Sequence, residues 1–369
     1  MAKLLTLTAS LVLLLSTCTP GSTEQPGAVT VPAFAGGADV SWLPEMEADG
    51  RTFQQADGRT ADLFTVLKEC GVNAIRLRVW VHPTGGWSGR DQVVALAKRA
   101  TAAGMALMVD FHYSDFFADP QRQAIPAAWE ADRTDLTKMK EHVRAHTVEL
   151  LSALRSAGVT PAWIQIGNET RNGMLWPIGQ LWTEAGERPD GWANFVALYN
   201  AGYEAAKSVF AAALVMPHLD NAWDDNAWWF RRFRELGGKM DMIALSHYPM
   251  VGDAFAASEY NRLALDHIRA LHTTFGVPVM VSEVGVRLTR WNGSASVDCE
   301  AEAAALLKDF VTACQGISGC RGVFYWEPEV YGGWKPAIYD SLGWSSYDQG
   351  AFTDDGRAST VMDAFKLIR

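Results

Sequence analysis

The run Met105-Ala106-Leu107-Met108-Val109-Asp110-Phe111-His112-Tyr113 decides the architecture. Its first five residues are apolar without alternation, and a strand of that composition is covered on both faces, as in a parallel sheet flanked by helices. Polar groups enter only towards its C-terminal end. Working outward from it, seven more short β-rich runs share the pattern: Phe34 to Trp42, Ala74 to Trp80, Trp163 to Glu169, Ala213 to Asp220, Met242 to Tyr248, Pro278 to Glu283 and Gly322 to Trp326. Between them lie helical patterns with start signals, such as Asp91 before Val93 to Ala97 and Asp135 before Leu136 to Leu154. Glycines at 71, 104, 158, 237 and 276 are placed to stop helices. This alternation predicts one closed (β/α)8 barrel over residues 33–369 rather than two domains. A doubly wound open sheet is the alternative, but no Gly-x-Gly-x-x-Gly follows a strand.

Composition narrows the partners. The formal net charge of -10 comes without a Lys/Arg cluster, which argues against nucleic acid, since phosphate backbones are held by clustered cations. Fifteen tryptophans supply flat apolar rings of the kind that grip sugar faces, although large barrel cores also consume them. At the N-terminus, Met1-Ala2-Lys3 followed by the apolar stretch Leu4 to Leu15 reads as an export signal too short to remain a transmembrane span. It ends in Leu15-Ser16-Thr17-Cys18, which resembles a bacterial lipoprotein signal over residues 1–18, with Thr17 where Gly or Ala is usual. The expectation is an exported protein, either anchored by lipid at Cys18 or secreted after ordinary cleavage, with 19–32 as a flexible tether. Of the remaining cysteines, Cys299 and Cys314 fall about 22 Å apart on one predicted helix and cannot meet. Cys314 and Cys320 flank a short turn and are the expected disulfide pair, while Cys70 reads as a buried thiol. None of these spacings is a metal-ligand pattern.

In a (β/α)8 barrel the C-terminal strand ends surround one cleft, so polar residues there are the candidate chemistry. Strand by strand they are Asp39, Arg76 with Arg78, Asp110 to Asp115, Asn168-Glu169, His218 with Asp220, His247-Tyr248, Glu283, and Trp326-Glu327. A single strand-end carboxylate more often caps a helix or pairs with an arginine than catalyses. Two glutamates on strands 4 and 7, which face each other across a barrel mouth, are more telling. Glycosidic cleavage needs one carboxylic acid to protonate the leaving oxygen and a second carboxylate on the other face of the sugar. Both follow apolar runs, so both are poorly solvated and open to pKa tuning. Glu327, ahead of Pro328, reads as a loop residue with a structural or substrate-contacting role.

Gly167-Asn168-Glu169 and Ser282-Glu283 resemble glycoside hydrolase clan A. With Gly37 to Ser41, Arg76 to Trp80, Asp110 to Asp115, His218 to Asp220 and Phe324 to Pro328, the chain is similar to family 53, the endo-β-1,4-galactanases, from about Phe34 to its C-terminus. The resemblance implies a retaining mechanism with Glu169 as general acid/base and Glu283 as nucleophile. It further implies that Asn168 holds the 2-hydroxyl of the reacting sugar and that Arg78 and Tyr248 keep Glu283 ionised.

Trp42, Trp87, Trp176, Trp223, Trp326, Trp334 and Trp344 are candidates to stack on galactose rings, with Trp326, Trp87 and Trp344 foremost. Asp39, His112, Asp115, Asp220 and His247 are the expected polar substrate contacts. No metal or cofactor is expected. Some bacterial relatives carry a calcium loop after strand 7, but Val286 to Val297 has no carboxylate with which to build one. The expected partner is a galactan or arabinogalactan chain, and the expected state is a monomer.

Overall fold

The computed structural model describes residues 29–250, 257–291 and 294–368. The expected export signal, Cys18 and the tether up to residue 28 lie outside the described residues. Eight strands form the barrel: β1 (Ala35–Asp39), β2 (Ala74–Val79), β3 (Ala106–Phe111), β4 (Trp163–Ile166), β5 in two pieces (Leu214–Met216 and His218–Leu219), β6 (Ile243–His247), β7 (Val279–Val284) and β8 (Cys320–Trp326). All pair in parallel, and β1 closes on β8. The two pieces of β5 end the hydrogen-bonded order, the first beside β4 and the second beside β6. Pro217 stands between them. A proline has no N–H for the ladder, so pairing switches there from one neighbour to the other and the ring closes through the chain itself.

Helices follow the strands on the outside: α1 (Leu63–Glu69), α2 (Arg90–Ala102), α3 (Leu136–Ser156), α4 (Gly191–Val209), α5 (Ala227–Glu235), α6 (Ala257–Phe275) and α7 (Glu300–Gln315). A 3-10 segment, Thr360–Leu367, takes the eighth position. Asp135 caps α3 as predicted, accepting from the Thr137 and Lys138 amides. Gly89 rather than Asp91 precedes α2, which leaves Asp91 in the first turn. All five predicted glycine stops have positive φ.

Side chains alternate between two cores. On β2, Ala74 joins the barrel interior with Met108, Trp163, Met216, Met280 and Phe324. Ile75, Leu77 and Val79 face the helices. The interior is full: a Cβ at Gly37 would lie 2.0 Å from the Phe324 ring. Above this apolar plug the inward positions turn polar, beginning with Arg76, Asp110 and Gln165, all buried.

Cys314 and Cys320 lie thiol against thiol, but the expected disulfide is absent and both are free, as are Cys70 and Cys299. The Cys320 sulfur is satisfied as a thiol by Cys314 and by the Gly322 carbonyl.

Candidate active site

Arg76 is the floor of the site. Its Nη1 donates to Asp39 at 2.7 Å, and its Nη2 reaches Asp110 and Glu283, each at 2.8 Å. One guanidinium thus meets three carboxylates out of water, a cost that only close charge pairing offsets. Burial acts to raise the Asp110 carboxyl, but Arg76 and His112 outweigh it and hold Asp110 below the ordinary range. The His112 ring is fixed by its neighbours. Its Nδ1 accepts from the Ala118 amide at 3.0 Å and the Trp80 indole at 3.3 Å, so Nε2 carries the proton and donates to Asp110 at 2.9 Å.

Glu283 reaches this floor through an irregularity. Met280 belongs to the interior and Val279 and Val281 to the outer layer, so strict alternation would point residue 283 at the helices. The β6–β7 register slips instead, from Leu245 opposite Val281 to Ser246 opposite Glu283, which leaves Ser282 as an extra residue. Such a bulge re-aims the following side chain. Glu283 then takes Arg76 on Oε1 and the Tyr248 hydroxyl, at 2.6 Å, on Oε2. Burial raises its pKa, while Arg76 and Tyr248 oppose the rise.

Glu169 lacks such support. It follows β4 with φ +46°, a left-handed conformation that a non-glycine residue adopts only where its surroundings impose it. Its carboxyl is pushed well above the ordinary range, first by burial and then by the charges of Glu283 and Asp220. The Ser246 hydroxyl favours its ionised form but is outweighed. Behind it stands a relay: His218 Nδ1 accepts from the Glu169 amide at 3.2 Å, so its Nε2 proton points at the Ser246 oxygen, 2.9 Å away. His218 is kept neutral by burial and by Arg76.

Glu169 and Glu283 line one cavity of about 330 Å³ with His112, Asn168, Tyr248, Trp326 and Trp344, all seven of them named from sequence. The Asn168 amide is braced from three sides, accepting from Arg76 at 3.0 Å and Gln165 at 3.1 Å and donating to the Ala118 carbonyl at 2.8 Å. Trp326 is half-buried against Trp42 and Tyr347.

Other expected contacts are corrected. Arg78 does not touch Glu283. It lies one inward rung above Arg76, about 6–7 Å nearer the mouth, and pairs there with Glu327 beneath the rings of Trp42, Trp80 and Phe117. Asp39 is fully buried beneath the cavity as a partner of Arg76 and Ser41. His247 points away from it, bonding Asn261 at 2.7 Å and stacking on Phe310. Asp115 is spent on the His82 and Ala127 amides and organises loops. Asp220 pairs with Arg171 at 2.6 Å and reaches Glu169 through its charge. Trp87 lines a neighbouring apolar pocket with Trp42, Trp80 and Phe117, outside the glutamates' cavity. Glu327 keeps the structural role expected of it: just past β8, it is fully buried, takes Arg78 on one oxygen and accepts the Trp42 amide on the other.

Against known proteins, the description of Glycosyl hydrolase family 53 matches residues 35–365, nearly the whole described chain. The chain belongs to glycosyl hydrolase family 53. Among relatives of this family 53 chain is the arabinogalactan endo-β-1,4-galactanase of Thermothelomyces thermophilus, 30% identical over 90% of this chain and 98% of that enzyme. Among solved structures, the Ignisphaera aggregans GH53 catalytic domain aligns with TM-score 0.77 at 27% identity, covering 91% of this chain and 96% of that one. A fungal β-1,4-galactanase aligns with TM-score 0.76 at 28% identity, covering 91% and 100%.

The family 53 site also contains groups to which sequence reading gave no role. Arg76 was visible, but nothing in the sequence said which of two inward arginines would reach Glu283. Gln165 binds Asp110 at 2.5 Å and His218 at 2.9 Å, and the hidden signal was a polar residue at an inward position of an otherwise apolar strand. Asp119 and Gln349 reach the cavity from loops and Tyr339 from the short helix Ile338–Leu342, where no periodicity announces them. Among the described residues no cluster of three His, Cys, Asp or Glu side chains is arranged to hold a metal ion.

Proposed function

We propose that this family 53 chain cuts β-1,4-D-galactosidic links within galactan or arabinogalactan, with retention of configuration, using Glu283 as nucleophile and Glu169 as acid/base. The observation that carries the reading is the asymmetry of the two glutamates in one cavity. Glu283 has a guanidinium and a phenol favouring its charge, whereas Glu169 has burial and two carboxylates against its own. The first proton to leave the pair therefore leaves Glu283, and the second is held by Glu169, the division of labour that double displacement needs. In the first step Glu283 attacks the anomeric carbon as Glu169 gives its proton to the leaving oxygen, producing a galactosyl ester. In the second, Glu169 takes a proton from water, the water oxygen displaces Glu283, and both groups return to their starting states. Asn168 has one amide N–H committed to Ala118 and a second for the 2-hydroxyl of the reacting sugar. Trp326 and Trp344 line the same cavity. The substrate class follows from the galactanases among the relatives.

Incubation with linear β-1,4-galactan and sizing of the products tests the reading. Oligosaccharides of several lengths support endo action, galactose alone would make the enzyme exo-acting, and an untouched polymer would refute the substrate. An activated 2-fluoro-galactoside should label Glu283, and a label on Glu327 would overturn the nucleophile.

We also propose that the protein is exported, acts as a monomer and is anchored through lipid on Cys18. Val29 and Val31 lie against Thr160, Pro161 and Ala162 at the start of β4, on the face opposite the cavity. Membrane release on Cys18→Ala tests the anchor.

A further inference from the structure

The rim of the mouth carries an aromatic feature that lies outside the glutamates' cavity. From Glu169 the chain runs through the turn Thr170–Asn172 into two small hairpins, the second pairing Trp182–Thr183 with Gly186–Glu187. Asn172 holds Trp182 by its backbone, accepting from its amide at 2.7 Å and donating to its carbonyl at 3.1 Å. The Trp182 ring stands edge-on to buried Trp192 at 5.6 Å and to Trp228 at 5.8 Å.

Trp228 lies in the first turn of α5, and helices of this barrel begin on the side where the strands end, so it stands level with the mouth. Its side chain is 44% exposed, and among the described residues it is the one aromatic among the large exposed apolar side chains. The simplest alternative is a helix-surface tryptophan serving the core. The adjacent Trp229 and Phe230 are fully buried and already do that, so Trp228 leaves its ring in water. Arg171 ties the patch to the catalytic loop: it follows Glu169 by two residues and grips Asp220 at 2.6 Å and Asn226, at the start of α5, at 2.9 Å. The nitrogen that holds Asn226, Nη2, also stands 3.6 Å from Asp224, which is half-exposed. A rigid flat apolar face therefore sits beside a rim of hydrogen-bonding groups, continuous with the loop that carries Glu169.

That combination recognises a pyranose. In β-galactose the axial O4 leaves the C–H bonds at C3, C4 and C5 on one side, giving the ring an apolar face to stack and hydroxyl edges to bond. We propose that Trp228, backed by Trp182, is a stacking platform for the galactan chain beyond the cleavage cavity, on the leaving-group side. The side follows from Glu169, which delivers its proton to the departing oxygen, so the proposal rests on the functional reading above.

The test uses Trp228→Ala and Trp228→Phe in the full chain, on linear β-1,4-galactan and on an aryl β-1,4-galactobioside whose leaving group is too short to reach the platform. Removing one stacked ring should lower kcat/KM on the polymer roughly three- to tenfold, mainly through KM, and leave the aryl substrate unchanged. The Phe variant should keep most of the polymer activity. Because the ring is nearly half in water and Trp229 and Phe230 carry the core packing, the protein should stay folded, with at most a small fall in melting temperature. In a galactan-containing native gel, Glu283→Gln protein should be retarded, and adding Trp228→Ala should weaken the retardation. Equal losses on both substrates, or none on the polymer, would overturn the platform. A parent enzyme that leaves galactan uncut overturns the functional reading and the platform with it, whereas a parent that cuts galactan and tolerates Trp228→Ala overturns the platform alone.

Discussion

Replacing Tyr248 by Phe removes one atom from the site, the hydroxyl that donates to Glu283 Oε2 at 2.6 Å. The phenol is a permanent donor, because burial first and the neighbouring Glu283 charge second raise its own pKa well above the ordinary value. A hydrogen bond to a charged acceptor is worth about 1.5–3 kcal/mol, and 1.36 kcal/mol corresponds to one pH unit of titration. Losing it should move Glu283 up by about one to two pH units. The nucleophile must be ionised, so activity is lost as pH falls through its pKa, and raising that pKa brings the loss to higher pH. In the profile of kcat/KM against pH on galactan, the acid limb should shift upward by that amount while the alkaline limb, set by Glu169, stays within a few tenths. Arg76 still holds Oε1, so the plateau should fall less than the acid-side rate. An acid limb that stays in place or moves down, with the protein folded, would refute the claim that Tyr248 supports the ionised nucleophile.

Three further outcomes are expected. Arg78→Met should cost about 3–5 kcal/mol of stability by removing the cation from buried Glu327, and Glu327→Gln in the same chain should recover most of it in denaturant titrations, since Arg78 is the cation that Glu327 pairs with. Glu169→Gln should abolish hydrolysis of galactan yet raise the melting temperature by a few degrees at neutral pH, because it removes a carboxyl whose ionisation burial opposes. Glu329 is fully buried beside Glu327, and burial first and the Glu327 charge second push its carboxyl well above the ordinary range, so the pair holds a proton between them. Burial raises Glu327 to about 7 despite Arg78, so this pair's contribution to stability is full below the unfolded carboxyl range and lost as pH rises through the folded value. Thermal unfolding of Glu329→Gln, whose amide donates permanently, should show a shallower loss over that range than the parent.

Much of the barrel was legible because its signals are local: unbroken apolar runs, the Asp135 cap, glycines where helices stop. The strand ends were legible too, since a (β/α)8 barrel turns position along a strand into position at the mouth. What sequence could not show is which inward residue meets which partner. Arg76 and Arg78 are equivalent in pattern, and two residues of rise send one to Glu283 and the other to Glu327. Parity even misleads at Glu283, which reaches the cavity through a slip at Ser282 that depends on the pairing of β6 with β7. His247 fails for a related reason: it ends an apolar strand as an active-site residue would, but its ring turns to Asn261 and Phe310 on the helix side.

The division of labour between the glutamates can be traced to where the barrel places its charges. The inward positions of β1, β2 and β3 hold Asp39, Arg76 and Asp110, so the one cation of the floor sits on that arc, and the bulge in β7 brings Glu283 within its reach. Across the mouth, β4, β5 and β6 offer Gln165, a neutral His218 and Ser246, which orient Glu169 but carry no positive charge to it. The nearest cation on that side, Arg171, is spent on Asp220. Moving a cation from the first arc to the second would lower Glu169 and raise Glu283 together, exchanging their protonation order without moving either carboxyl. The acid and the nucleophile are thus distinguished by the arc of the barrel each one faces, and a side chain alike in both becomes two different reagents.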